Sequence, residues 1–586
     1  MTTSCLIRCP GLPQQELTQS MHWRHIRLDY HEVMDSPALG HDEFTTKISD
    51  YFIIQAILDL HGDAVQLVFK ESSALLPVFP FKERLKRRVD EVRELGAIFK
   101  NTGTIDGTYA AHDEIFQQKL GLDPSPDSSD FSSRLRLVWG DQKTCQHIRS
   151  VKDESSSAEL PYDRRDWMLA PPALFHVQMQ LLNMIVRTHF STGEGSQQFS
   201  SATLLHDITT LQRKGISRDS AKYHLTEPLL VVAFNARVLA LFYEQISQFG
   251  ALQGTKANQA GTRESMDEAI KKLTAEQILE AARWIQENVF SPFAWEGVVS
   301  TGSEETEQKD QHFTSMCRYL QEIEVFLTLR HAIRHGDIGI IQHILPLLSV
   351  MFYGNKQYNY GFEMLFLHWL LKEEVSSPEL RRAILASALI NLSNKSDCWL
   401  PIDLIMELAN GRYHIDMKNR HNSTHDINTT FGRVALTSLY ANRLRKTFET
   451  TFSRPQNNKH SRKKLEVDTF LLAHSLWRDG ETEARPNRPD LRQWLSRDII
   501  GIGLEDLEEK VAFFNQSVPV DDESLHAPID GEAIENENED RLASTEADNA
   551  EIREFALEAD DGLFTNTAAI MYPSKRSYNQ AGGASE

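Results

Sequence analysis

Apolar residues recur at helical spacing along almost the whole of this chain, and stretches that alternate with a period of two end by residue 172. That asymmetry fixes the fold class: mostly α, with a small central β-sheet wrapped by helices. In YFIIQAILDLHG, residues Phe52, Ile53, Ala56 and Ile57 share one helical face, and Gly62 offers a C-terminal stop. FKERLKRRVDEVRELGAIFK repeats the spacing through Leu85, Val89, Val92 and Leu95. The same pattern predicts helices over 174–192, 199–213, 227–249, 267–289, 311–335, 337–352, 358–374, 378–391, 401–410 and 430–448. A Gly-Asp break in RHGDIGII separates two of them, as in a helical hairpin. Strands are expected at AVQLVF (64–69), RLRLVW (134–139) and DWMLAPP (166–172).

At 586 residues, 41% hydrophobic, the chain is long enough for several domains and a sizeable core. The expected organisation is a flexible N-terminus (1–20), a helix-rich region holding the small sheet (21–250), a connecting helix and polar loop (251–310), a second helical region (311–515) and a disordered acidic tail (516–586). Five scattered cysteines show no zinc-site spacing and point to reduced thiols inside the cell. No secretory leader pattern opens the sequence, and the most apolar run, from Pro228, is interrupted by Asn235 and Arg237, so no membrane span is expected. The net charge of -21 is segregated. Residues 521–561 hold 16 acids against 2 bases, too polar to offset the entropy of ordering, whereas 418–464 hold 11 bases against 2 acids.

The chemistry-bearing candidates are acids and one histidine. Asp141 ends the predicted strand in RLRLVWGDQKT, where a carboxylate can project past a sheet edge as a metal ligand, or where Gly-Asp simply makes a turn. Glu363 borders the apolar face of QYNYGFEMLFLHWLLKE and needs a partner, a metal or a proton; solvent or a nearby base such as Lys356 is the bland alternative. His176 opens an apolar helix after two prolines, the placement of a packed histidine more than of a general base. Asp403 and Glu407 stand four apart on one helical face, able to share a cation or to line a solvated surface.

Phosphate-loop, Gly-x-Ser-x-Gly, His-Glu-x-x-His and dinucleotide glycine patterns are all missing, which removes the usual support for kinase, serine hydrolase, zinc protease and dehydrogenase readings. The basic segment carries Arg443, Arg445, Lys446, Lys463 and Lys464 with Tyr440, Phe448 and Phe452 among them, a composition suited to phosphate contact with some stacking, or to an ordinary solvated face.

GTIDGTYAAHDEIFQQKLGL, RLRLVWGDQKTCQHIRSVK, YDRRDWMLAPPALFHVQMQLLNMIVRTHF, IRHGDIGIIQHILPLLSVMFYGNKQYNYGFEMLFLHWLL and CWLPIDLIMELAN follow in an order that resembles the fungal domain-of-unknown-function 6589 family, over about residues 20–515. That family looks transposon-derived, and its Gly-Asp-Gln block is similar to the strand end carrying the second acid of ribonuclease-H-like transposases. The resemblance implies Asp141 and Glu363 as catalytic acids and Mg²⁺ ligands, a degenerate ribonuclease-H-like core, and DNA as partner. It departs where a first acid is needed, since Asp63 and Asp106 do not sit on a core strand, and no zinc finger or helix-turn-helix is present. The expectation is therefore a transposase-related protein, a truncated or inactive Mg²⁺-dependent DNA strand-transferase or nuclease, with a non-enzymatic helical binding protein as the alternative. Whether it is an enzyme stays open. An intracellular and nuclear location follows from DNA as partner, with SRKK at 461–464 as a weak basic signal.

Overall fold

The computed structural model describes residues 2–8, 26–40, 42–98, 100–121, 135–190, 201–219, 222–250, 252, 262–291, 311–407, 458–482 and 496–517. In chain order its principal elements are β1 (Thr2–Arg8), α1 (Glu43–Val68), β2 (Glu91–Ile98), α2 (Ile105–Asp113), β3 (Arg136–Leu137), α3 (Gln142–Glu154), β4 (Met168–Leu169), α4 (Leu174–His189), α5 (Leu204–Thr210), α6 (Tyr223–Gln248), α7 (Arg263–Ile270) and α8 (Ala275–Ile285). There follow α9 (Gln311–His335), α10 (Ile338–Gly354), α11 (Tyr358–Leu370), α12 (Pro378–Ser387), β5 (Leu389–Ile390), β6 (Leu400–Pro401), α13 (402–407), α14 (Asn458–Arg478) and α15 (Ile499–Ser517).

The helical expectation holds, for the reason that the sequence supplies both faces and caps. Asp42, Thr104, Thr203, Thr262, Thr274, Asp337 and Ser377 each accept a first-turn backbone N–H, satisfying donors that a helix start leaves bare. α6 is the axis of the core. Its length and composition would suffice to cross a membrane, but 89% of its most apolar window is buried inside the protein, packed by α1, α4, α8, α9 and α14. α9 and α10 meet at Gly336, whose φ of 65° and closeness to the Trp399 indole exclude a side chain. Buried polar groups are paired across α6: Arg237 donates to both carboxylate oxygens of Asp207 (2.8 and 2.9 Å) and to the Ser201 carbonyl (2.8 Å). The Tyr319 ring lies 4.7 Å from that guanidinium.

Two sequence expectations are corrected. AVQLVF is not a strand: α1 continues through Gly62 to Val68 with a local kink at His61 (φ -111°, ψ 25°). There the imidazole bridges Asp267 and the Tyr243 hydroxyl, each at 2.6 Å. The helix expected over 81–100 is instead an extended strap followed by β2. Val89 on its supposed buried face is 48% exposed, and the amides of Lys82, Glu83, Leu85 and Asp90 are satisfied by Asp337, Gly336 and Asn391 in place of a helical ladder.

In place of one small central sheet, the described residues hold three separate two-stranded pieces. β1, inside the segment read as a flexible N-terminus, pairs antiparallel with β2; β3 pairs parallel with β4; β5 pairs antiparallel with β6. The two C-terminal helices complete the core. α15 crosses α10 where Gly354 and Gly503 let backbones touch: a Cβ on Gly354 would fall 1.7 Å from the Ile499 carbonyl oxygen, and one on Gly503 2.0 Å from that of Val350. Asn515 on α15 holds Leu28 by two hydrogen bonds, to its amide (2.8 Å) and its carbonyl (2.9 Å). The helix expected over 430–448 and the acidic tail lie outside the described residues.

Candidate functional site

The parallel pair β3–β4 extends by a bridge between Gly140 and Pro172, so Asp141 and the start of α4 emerge together at the carboxyl end of the strands. In open α/β layers this is the side on which ligands are bound. Gly140 passes so close to Thr144 that a Cβ would lie 2.5 Å from its methyl carbon, which is why this turn takes glycine. Asp141 then caps α3, its Oδ1 accepting the Thr144 amide at 2.7 Å.

α3 carries Cys145 and Arg149 inward. Arg149 reaches across to Glu363 on α11 and donates to both carboxylate oxygens, one at 3.1 Å. Phe362 and Phe366 flank the guanidinium, with ring centroids 5.4 and 5.0 Å away. Glu363 is fully buried. Burial pushes its carboxyl above the usual range, while Arg149 pulls it back and the Asp141 charge adds to the rise. Burial also raises the Cys145 thiol well above its ordinary value, helped by Glu363, so this cysteine is a packed thiol that donates to the Pro171 carbonyl (3.4 Å) and not a nucleophile.

On the other side, α4 has no cap of its own, since its N-cap residue is Ala173. Asp403 of α13 supplies one from 227 residues away: Oδ2 accepts the His176 amide (3.1 Å) and Nδ1–H (3.0 Å), and Oδ1 accepts the Phe175 amide (3.0 Å). The second ring nitrogen of His176 lies 3.8 Å from Glu407. Burial alone would depress this imidazole, but the hydrogen bond and charge of Asp403, reinforced by Asp141 and Glu407, lift it to about 9. His176 is therefore a cation at neutral pH. The folded value lies above the ordinary 6.5, so its stabilisation is complete below about pH 6.5 and is lost as pH rises through about 9. A urea midpoint that falls between pH 6.5 and 9.5 in the wild type, with a flatter profile in His176→Gln, is the expected result.

Five residues singled out in the sequence thus stand in one electrostatic neighbourhood: Asp141, His176, Glu363, Asp403 and Glu407. Arg149 was missed. The only signal for it was Glu363 itself, a buried acid that demanded a base, and the partner suggested by proximity in sequence, Lys356, is not the one used. Among the described residues no three His, Cys, Asp or Glu side chains are disposed to hold a metal ion. Both Glu363 oxygens accept from Arg149 and the Asp141 Oδ1 accepts the Thr144 amide, so each of these two acids has a partner within the fold. Of the basic residues, Lys463 and Lys464 are exposed on α14 beside the exposed Val467 and Leu471, while Arg443, Arg445 and Lys446 lie outside the described residues.

Fold and centre together define a class: a helix-rich protein in which a short parallel strand pair presents an acid, histidine and arginine cluster. The chain belongs to the family of unknown function DUF6589, whose model matches residues 30–460. No curated protein and no solved structure matches it.

Proposed function

We propose that this chain is a transposon-derived, nucleic-acid-binding protein of fungal origin whose strand-transfer centre is closed by internal cations and does not cut DNA. The observation that carries the proposal is charge compensation within the cluster: Arg149 engages both oxygens of Glu363, and His176 lies between Asp403 and Glu407. A two-metal centre uses divalent cations to balance its carboxylates and the phosphate in transit. Here the compensating charge belongs to side chains, and both candidate acids hold structural contacts. The Gly140-Asp141-Gln142 strand end, similar to the one that carries the second acid of ribonuclease-H-like transposases, supports the transposase ancestry. The ribonuclease-H-like core belongs to the same proposal: a parallel pair ending in Asp141, a helix behind it, and Glu363 on α11 as the helix-borne last acid after a long helical insertion. A DNA partner also accounts for the basic composition of 418–464 and implies a nuclear site of action.

Purified full-length protein incubated with supercoiled plasmid and Mg²⁺ or Mn²⁺ is expected to leave the plasmid intact while still retarding it. Nicking that disappears in Asp141→Asn, a variant that keeps the helix cap, would overturn the proposal and restore the enzyme. Asp141→Ala is expected to cost about 1 kcal/mol of stability through the lost cap, read as a small drop in Tm, with no change in DNA binding.

A further inference from the structure

The strap between α1 and β2 carries Lys82, Arg84, Lys86, Arg87 and Arg88 within seven residues, against the single acid Glu83. It runs extended across the surface, and its backbone is fixed at both ends. At one end Asp337 accepts the amides of Lys82 and Glu83, each at 2.9 Å, Gly336 accepts the Leu85 amide at 2.8 Å, and the Ile338 amide returns to the Glu83 carbonyl at 2.9 Å. The approach is close enough that Gly339 could not carry a Cβ, which would lie 2.8 Å from that of Lys82. At the other end Asp90 and Asn391 exchange backbone and side-chain hydrogen bonds at 2.9 and 2.7 Å.

The bases divide by role. Arg88 turns inward to Asp90 and to the carbonyls of Ala386 and Leu389, and Arg84 pairs with Asp397. Lys82 meets His343. Lys86 and Arg87 are exposed and make no ion pair or hydrogen bond among the described residues. A rigid backbone that presents unpaired cations loses little conformational freedom on binding a polyanion. The location matters as much as the charge. Val92, just past the strap, packs in one layer with Trp139, Ala173, Ile390, Ile402 and Ile405, the layer from which Asp141 and Asp403 rise.

We propose that Lys82–Arg88 is a nucleic-acid backbone-binding strap, with Lys86 and Arg87 as its phosphate contacts, leading DNA to the carboxyl edge of β3. This inference rests on the reading of the chain as a nucleic-acid-binding protein. Its charge is sequence-independent in effect, so affinity should be steeply salt-dependent and indifferent to base sequence.

The test is fluorescence anisotropy of the full-length chain on labelled duplex and single-stranded DNA between about 50 and 200 mM salt, comparing wild type with Lys86→Glu/Arg87→Glu. Both side chains are exposed, so the variant should melt like the wild type. Expected is a loss of affinity of about tenfold or more at low salt and a slope of log affinity against log salt that is shallower by about 2. Equal affinity and slope in the two proteins would overturn the strap while leaving DNA binding intact. Failure of the wild type to bind any DNA would overturn both this inference and the reading beneath it. Capture by anionic phosphatidylserine vesicles in place of DNA would identify a lipid surface and overturn the proposal as well.

Discussion

A chain ending at residue 460, where the family match stops, is expected not to fold, whereas one ending at 517 should melt at the full-length Tm. The physical reason lies in α14 and α15. Leu472, Ala473, Leu476 and Trp477 on the first, and Ile499, Leu507, Val511 and Phe514 on the second, are all buried in the main core. Each large apolar side chain of this kind contributes about 1.5–3 kcal/mol when buried. Losing them together removes about 10 kcal/mol or more, comparable to the whole net stability of an ordinary domain. Removal would also strip α6 and α10 of the faces they present to α14 and α15. Far-UV and near-UV circular dichroism of the two truncations, with analytical gel filtration, is the check. A soluble, cooperatively melting 1–460 chain would show that the C-terminal helices are an accessory layer.

Arg237→Leu is expected to be the most damaging single substitution in the core, at about 3–5 kcal/mol, because it leaves Asp207 as a buried charge without its partner. Asp207 is fully inaccessible, and both of its oxygens are held by the guanidinium. The Ser201 carbonyl would lose its donor in the same step. Pairing the change with Asp207→Leu should recover much of the loss, since removing both charges removes the desolvation cost along with the attraction. A double-mutant cycle by chemical denaturation measures this. Equal stability of Arg237→Leu and wild type would mean that Asp207 finds solvent or another donor without penalty.

The helices were legible because three signals coincided: apolar spacing, a polar cap at the start and a break at the end. α9 ends at His335, just before the Gly336 break, and α10 opens at Ile338 behind its Asp337 cap. The mistakes came where spacing stood alone. Val65 and Val68 have strand-forming side chains, yet they continue a helix already nucleated upstream, with Phe69 at its C-terminal cap, and tertiary context decides such short runs. Leu85, Val89 and Val92 are spaced like a helix, but Leu85 and Val92 pack against different clusters, Val89 is exposed, and Asp337 holds the backbone extended. Asp141 was legible as a strand-end acid from Gly140 before it. Its neighbours were not: Glu363 and Arg149 are 214 residues apart, His176 and Asp403 227, and periodicity says nothing about which distant helices meet. Each candidate was found by its own local oddity, and only the packing of α3, α4, α11 and α13 places them together.

The Asn515 clasp on Leu28 has a consequence for biosynthesis. The two residues are separated by 487 positions, so on a ribosome adding about 5–20 residues per second the opening segment waits roughly half a minute to a minute and a half for its partner to be made. For the last part of that interval, after α10 is complete at Gly354 and before α15 begins at Ile499, the apolar flank of α10 has no α15 to cover it. Nascent chains of this protein should therefore depend on chaperones until α15 is made, and a stall between α10 and α15 would yield an aggregation-prone product from an otherwise intact message.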